Sequence, residues 1–253
     1  TPCGTLFPYT TLFRSVDYNG LEAQSDSMDV FVKQLGEVSL SRFATWDTSA
    51  QVAFFINAYN ALALHIIKER YPIRPSPWGI FMYPRNSIRQ IPFVFQRVEY
   101  EVIGETMTLD ETEHRILRVD YQEPRIHMAL VCAAMSCPPL RQKPYRGAVL
   151  DSRLDEQTRR FLVQPDNFRI DREANRVYLS SIFKWYGEDF IDDHLPAEGF
   201  GIHEREERAV LAFIADYVDR EDAAFLRRGE YRIRYTDYDW SLNEQTQEVA
   251  SEE

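Results

Sequence analysis

The feature that most constrains the fold is a long apolar stretch at residues 48–71, which ends before Pro72. Drawn as a helix, it carries apolar side chains on almost every face, and a helix of that kind is buried inside a protein. Its longest apolar run, residues 52–67, is interrupted by two asparagines and a histidine and is too short to cross a bilayer. We therefore predict a soluble protein built around one central buried helix, with no membrane insertion.

The rest of the chain predicts short helices that alternate with strands and hairpins. Helical patterns cover residues 26–38, 108–118, 150–162 and 204–218, and strand or hairpin patterns cover residues 94–107, 126–132, 168–180 and 231–235. These elements lack the regular strand–helix–strand order of a doubly wound sheet. The predicted fold class is therefore α+β, with helices packed on a small antiparallel sheet.

One globular domain is predicted over residues 16–243, because no linker or repeat divides this stretch. Residues 1–15 read as a sequence artefact or, alternatively, as a disordered arm. Residues 244–253 are polar and acidic, which predicts a disordered tail.

The net charge of the whole chain disfavours two classes of partner. A net charge of −11 disfavours binding to nucleic acid and docking on anionic membranes. The sequence has no Gly-rich phosphate loop and no Gly-x-Ser-x-Gly motif, and we predict no cofactor. The expected partner is a small-molecule or peptide substrate of unknown identity.

The residues best suited to chemistry are concentrated at residues 125–140, which include His127, Cys132 and Cys137. A thiol beside an imidazole is the raw material for nucleophilic catalysis. Residues 126–132 read as a strand, which would place His127 and Cys132 on opposite faces. Cys137 precedes a proline, so its backbone is expected to be extended and its thiol held in a defined direction.

Other interpretations of the two cysteines stay open. Cys132 alone fits a small core side chain, and the pair fits a disulfide if the protein is exported. A zinc site with His114 and His127 has suitable ligands, but the spacing of the cysteines is outside the usual range, so no metal is predicted. Pro144 follows Cys137 too closely for a long helix to begin at the thiol. This weakens the analogy with papain, and a distant papain- or transglutaminase-like fold stays an alternative.

The predicted helix at residues 108–118 opens with a capping-box pattern from Thr108 to Glu111. At 100° per residue, Glu113 falls on its apolar side, where a carboxylate needs a partner. That partner is expected to be either a buried arginine such as Arg125 or a functional histidine. His114 and Arg118 are four residues apart and therefore lie together on another side.

Two asparagines, Asn57 and Asn60, lie on one face of the central helix because they are three residues apart. Buried amides need hydrogen-bond partners. Either they clamp the backbone of a neighbouring loop, or they orient a catalytic imidazole and line a substrate pocket. With Arg118 and Arg125 they form the predicted substrate-binding set.

Several collinear segments resemble one family, the proteins that carry domain of unknown function 547. They are residues 54–61, 109–118, 125–140, 179–186 with Asp189-Phe190, and 238–243. The resemblance extends over roughly residues 16–243 and is closest to single-domain bacterial members, which are often exported. It implies that the candidate site residues occupy motif positions, and it carries no agreed reaction.

The resulting functional hypothesis is a cysteine-dependent acyl-transfer enzyme, a hydrolase of amide, peptide or thioester bonds. Cys137 or Cys132 would attack, His127 or His114 would act as base, and Glu113 or Asn60 would orient the imidazole. Backbone amides near Ser136 and Cys137 would stabilise the oxyanion. The competing hypothesis is a non-catalytic binding module in which the polar cluster is structural. The expected location is the periplasm or cell envelope, with the cytoplasm as the alternative.

Overall fold

A computed structural model describes residues 15–23 and 25–245. The segment predicted as an artefact or arm lies outside these residues apart from Ser15, and so does the predicted tail beyond Gln245.

The α-helices are α1 (Tyr18–Ala23), α2 (Ser25–Gly36), α3 (Leu40–Phe43), α4 (Thr48–Lys68), α5 (Val94–Arg97), α6 (Leu150–Leu162), α7 (Ser181–Trp185), α8 (Ile191–His194), α9 (Arg205–Ala215) and α10 (Arg220–Arg228). The strands are β1 (Glu99–Val102), β2 (Glu105–Thr108), β3 (Phe168–Asp171), β4 (Arg176–Leu179) and β5 (Arg232–Tyr235). A π-helix spans Glu111–Asp120, and 3₁₀ helices span Gly79–Phe81, Ile88–Gln90, Pro124–Met128, Gly147–Val149 and Gly187–Phe190.

Helix α4 is the central element of the fold, as its sequence predicts. Asp47 caps its first turn by accepting a hydrogen bond from the backbone N–H of Ala50 at 2.8 Å. Ile56, Ala58 and Leu62 are fully buried. The helix is long and apolar enough to cross a membrane by length and composition, but 72% of its most apolar window is buried inside the protein. It is the core helix.

Two small sheets complete an α+β fold, and the predicted fold class is confirmed. Strands β1 and β2 form an antiparallel hairpin, whose turn places Ile103 at φ 52° and Gly104 at φ 75°. Strands β3 and β4 form a second hairpin. Strand β5 pairs with β4 in the parallel direction, because it returns to the sheet after α7 to α10 rather than through a tight turn.

The strand expected at residues 126–132 is wrong. The chain instead forms the 3₁₀ helix Pro124–Met128, followed by an irregular segment. Pro124 suits a first helical turn, since its fixed φ is helical and no N–H is lost there. The side chain of Glu123 also accepts a hydrogen bond from the backbone N–H of Arg125 at 3.0 Å. Ile126, Leu130 and Val131 are buried in the cluster around α4, and Met128 is buried in the cluster around α9, without pairing in a sheet.

The interior divides into two hydrophobic clusters, and the chain passes from one to the other near His127. The first cluster surrounds α4 and includes Ile126, Ala129 and Cys137. The second surrounds α9 and includes Met128 together with the phenylalanines of α7 and the Gly187–Phe190 turn. The candidate site lies where these clusters meet.

Candidate functional site

One cavity of about 130 Å³ brings the predicted catalytic residues together. Its wall includes all five of them: Glu113, His114, His127, Cys132 and Cys137. Aromatic side chains form much of the remaining wall, namely Tyr59, Phe95, Trp185, Tyr186, Tyr238 and Trp240. The cavity wall is therefore largely aromatic and also carries titratable groups.

Cys132 and Cys137 form a disulfide, with their Cα atoms 6.2 Å apart. That separation lies inside the range that a disulfide requires. The hydroxyl of Tyr238 lies 3.3 Å from the sulfur of Cys132 and 3.2 Å from that of Cys137. Cys137 is buried and Cys132 is half-buried. In this oxidised form neither sulfur is a thiol, and neither is free to bind zinc.

His127 is held in one orientation on two sides. Its Nε2 atom lies 2.7 Å from Oδ2 of Asp189. Its ring stacks on Tyr186, with the ring centroids 4.0 Å apart and the planes inclined by 16°. Because an ionised Asp189 can only accept, this hydrogen bond places a proton on Nε2. His127 also lines the cavity.

Asp189 is the carboxylate that orients the imidazole, and it replaces Glu113 and Asn60 in that predicted role. The guanidinium of Arg118 donates two hydrogen bonds to the carboxylate of Asp189, from Nε at 2.6 Å and from Nη2 at 2.7 Å. Burial would raise the pKa of Asp189, but the hydrogen bonds from Arg118 and His127 outweigh burial and lower it to about 2. Asp189 is therefore ionised at neutral pH.

The π-helix Glu111–Asp120 sets the position of Glu113. The predicted capping box is present: Glu111 accepts from the N–H of Thr108 at 2.9 Å, and Thr108 accepts from the N–H of Glu111 at 3.1 Å. The turns that follow are wider than those of an α-helix, and the N–H of Tyr121 bonds to the carbonyl of Ile116, five residues back.

The half-buried Glu113 faces the cavity instead of pairing with an arginine or a histidine. It lies beside Tyr59 and Tyr186, and burial together with this carboxylate raises the pKa of both tyrosines well above the usual range. Both phenols are therefore protonated hydrogen-bond donors at neutral pH. His114 bonds to Arg118 at 2.9 Å.

The two asparagines of α4 clamp backbone and do not line the cavity. Asn60 donates to the carbonyl of Ala129 at 3.0 Å and accepts from the N–H of Val131 at 2.8 Å. Asn57 makes the same pair of bonds to Tyr145, both at 2.9 Å. These bonds leave neither side chain directed at a substrate, but that of Asn60 fixes the segment that leads into Cys132.

Arg125 also lies outside the cavity wall. Its guanidinium pairs with Glu123 at 2.7 Å and with Asp151 and Asp155, each at 2.8 Å. These partners tie the Pro124–Met128 turn to α6. Arg118, the fourth residue predicted to bind substrate, acts on the site through Asp189 instead of lining the cavity.

Asp189, Tyr186 and Tyr238 are functional-site residues that the sequence argument missed. They lie 59 to 106 residues from their partners His127 and Cys132. A usable signal existed, because all three lie inside the segments 179–190 and 238–243 that carry the family resemblance. All three are titratable residues of those segments, and this property is the signal that identifies them.

Another polar cluster lies away from the cavity. Among the described residues, Asp29, His65 and Glu69 offer ligand atoms within 4.8 Å of one another. The ammonium of Lys68 bonds to Asp29 and lies 3.2 Å from Glu69, so it already supplies the positive charge that these carboxylates need. This cluster reads as an ion-pair network on the surface of α4.

The fold and the cavity define an α+β protein whose site combines a disulfide, an imidazole–carboxylate pair and several tyrosines. Residues 43–162 match the family model described as "Protein of unknown function, DUF547", so the chain carries a DUF547 domain over this stretch. No curated protein and no solved structure matches the chain. The match ends before Tyr186, Asp189 and Tyr238, which complete the site.

Proposed function

We propose that the reduced protein is a cysteine-dependent acyl-transfer enzyme, a hydrolase of amide, peptide or thioester bonds. The observation that carries this proposal is the 2.7 Å bond between His127 and Asp189 on a cavity that both sulfurs line. A neutral imidazole held by an ionised carboxylate is the arrangement that activates a nucleophile in acyl transfer.

The first step is reduction of the disulfide, since a disulfide sulfur cannot attack an acyl group. A dithiol reductant attacks one sulfur, displaces the other as a thiolate, and is itself oxidised to a disulfide. Two electrons and two protons pass to Cys132 and Cys137. The oxidised form is therefore an inactive form of the proposed enzyme.

Acyl transfer then follows in two halves. Nδ1 of His127 takes the thiol proton, and the thiolate forms a bond to the carbonyl carbon of the substrate. The imidazolium returns the proton to the leaving amine or thiol, which leaves an acyl-enzyme. Water, deprotonated by the same imidazole, releases the acid and restores the thiol. Asp189 stabilises the imidazolium while its own proton affinity stays low.

The oxyanion needs a donor other than the predicted backbone amides. The N–H of Ser136 bonds to the carbonyl of Asp239 at 3.2 Å, and that of Cys137 bonds to the carbonyl of Ala134 at 3.0 Å. We assign the role to the hydroxyl of Tyr238, which lies close to both sulfurs. A cavity of about 130 Å³ also limits the substrate, because it admits the reacting bond and a small acyl group.

Thiol reactivity tests this proposal. In a Cys3→Ser background, the reduced protein is expected to react with iodoacetamide at pH 6 roughly tenfold faster than a free thiol, since an imidazole pair lowers the pKa of a catalytic cysteine. His127→Ala is expected to remove this advantage. The measurement is the rate of adduct formation by intact-protein mass spectrometry, with the site located by digestion.

His114→Ala is the matched control, because His114 lines the same cavity but is bonded to Arg118 and not to Asp189. It is expected to leave the rate within about threefold of the parent. A native reduced protein in which neither Cys132 nor Cys137 reacts would remove the basis of the enzyme proposal. The binding-module alternative would then account for the disulfide and the backbone clamps as structural features.

We also propose that the protein works in an oxidising compartment, the periplasm or cell envelope, and the disulfide supports this. Alkylating intact source cells with a maleimide before lysis is expected to leave Cys132 and Cys137 unmodified and linked. The linkage is read by mass spectrometry of the digest, with a sample reduced before alkylation as the control. Trapping of both residues as thiols would favour the cytoplasm.

A further inference from the structure

We propose that residues 70–98 form a peripheral docking surface for an anionic lipid bilayer. We refer to these residues as the basic aromatic segment. They contain α5 and the 3₁₀ helices Gly79–Phe81 and Ile88–Gln90. The inference does not depend on the proposed enzyme, since it concerns the outer surface of the segment and not the cavity.

The charge of this segment is opposite to that of the whole chain. It holds five arginines and no aspartate or glutamate, whereas the chain carries a net charge of −11. Arg74, Arg85 and Arg97 are exposed, and none of them has an ion-pair partner among the described residues. Acidic residues from elsewhere that reach the segment are Glu244, whose carboxylate accepts hydrogen bonds from Tyr71 and Asn86, and Asp110, whose carboxylate accepts from Gln96 at 3.2 Å.

Large apolar side chains project from the same segment. Trp78 is 85% exposed, Phe81 84% and Met82 73%, all within five residues. Phe93, at 57%, lies under the guanidinium of Arg97 at 3.9 Å. Isolated exposed apolar residues are ordinary, but three such side chains on one turn mark an interaction site.

The turn that carries these side chains is held by a buried amide. Gln90, 2% exposed, accepts from the backbone N–H of Ser76 at 2.8 Å. It also donates to the carbonyls of Tyr83 and Pro84, at 3.1 and 2.9 Å. One side chain fixes both ends of the turn. The exposed aromatic residues therefore lose little conformational entropy when they bind a partner.

An anionic bilayer matches both properties of the segment. Tryptophan and phenylalanine are favoured at the headgroup level of a membrane, and arginines are attracted to anionic headgroups. A nucleic acid would match the arginines but would leave the Met82 and Phe81 side chains without apolar contacts. The acidic remainder of the chain is repelled by the same lipids, so the protein is oriented with this segment toward the bilayer.

Vesicle sedimentation tests the proposal with the full chain. The wild-type protein is expected to sediment with vesicles of equal parts phosphatidylglycerol and phosphatidylcholine at low salt, and to stay in solution with phosphatidylcholine alone. The double variant Arg74→Glu, Arg85→Glu is expected to have a partition coefficient more than about 20-fold lower than that of the wild-type protein. Each arginine near the lipid surface raises this coefficient roughly fivefold, and the two factors multiply. Raising the salt to about 0.5 M is expected to weaken wild-type binding, because exposed charges are screened.

The matched control replaces two exposed arginines elsewhere, Arg42→Glu and Arg227→Glu, and is expected to lose less than about threefold in the partition coefficient, because exposed charges more than a Debye length from the lipid surface are screened. Trp78→Phe is expected to bind normally but to lose the blue shift of tryptophan fluorescence that anionic vesicles cause. Equal binding to neutral vesicles, or equal loss in the two charge-reversed variants, would overturn the proposal. A wild-type chain that stays in solution with every vesicle would also overturn it, and would leave an acidic protein as the partner.

Discussion

Replacing Asn60 with alanine is expected to lower the free energy of unfolding by about 2–6 kcal/mol. The side chain is 4% exposed and satisfies the Ala129 carbonyl and the Val131 N–H. Its removal leaves both buried backbone groups without a partner, at about 1–3 kcal/mol each. Urea unfolding, followed by circular dichroism at neutral pH, measures the change.

Asn57→Ala is the comparison for this prediction. Asn57 makes the same two kinds of bond to Tyr145, but it is half-buried, so water can replace the lost amide. Its loss is expected to cost about 1 kcal/mol. If Asn60→Ala unfolds within 1 kcal/mol of the wild-type protein, the backbone clamp is not a main source of stability.

Asp189→Asn is expected to destabilise the protein by about 2 kcal/mol at pH 7. The pKa of this carboxyl is about 2 in the folded protein, below its ordinary value of 3.8. A lowered pKa contributes stability that is complete above the unfolded value and is lost as pH falls through the folded value. The difference between wild type and variant is therefore expected to shrink by about 1 kcal/mol between pH 7 and pH 3. Urea unfolding at several pH values measures it.

Glu188→Gln is the matched control, since Glu188 contacts the same Arg118 at 3.0 Å but its side chain is 71% exposed. An exposed pair of this kind is expected to contribute less than about 1 kcal/mol. A difference between wild type and Asp189→Asn that stays constant from pH 7 to pH 3 would contradict the assignment of Asp189 as an ionised, tightly paired group. In the thiol assay, Asp189→Asn is also expected to slow the alkylation of the reduced protein.

The elements that the sequence predicts well are those specified by local patterns. Helix α6 covers residues 150–162 as predicted, because its apolar residues recur at helical spacing. Helix α4 ends three residues before the predicted end at Tyr71. The two hairpins follow from turn residues, and both Gly104 and Asn175 adopt positive φ there.

The errors arise where distant contacts override the local pattern. The apolar run from Ile126 to Cys132 has strand-like composition, but it lies against α4 without a strand beside it. The turns around Glu113 are those of a π-helix, which a projection at 100° per residue does not include. The direction of β5 depends on the path through four intervening helices, which no local pattern records.

The same contrast between local patterns and distant contacts explains which site residues could be predicted. His127, Cys132 and Cys137 were found because they lie within one short segment and differ chemically from their neighbours. Asp189 could not be predicted in this way. The chain is rich in acidic residues, and Asp189 is far from His127 along the sequence. A carboxylate partner for an imidazole can be expected from chemistry, but its identity requires the fold.

The division of the interior into two hydrophobic clusters has a consequence for how this site tolerates evolutionary change. The disulfide belongs to the first cluster, whereas Asp189 immediately precedes Phe190 of the second. Tyr238 packs against both clusters and touches both sulfurs. A packed interior transmits a displacement instead of absorbing it. The alignment of the imidazole with the sulfurs therefore depends on how the two hydrophobic clusters are positioned relative to each other. Sequence drift in either half is therefore constrained by the other, even at positions that never approach the cavity.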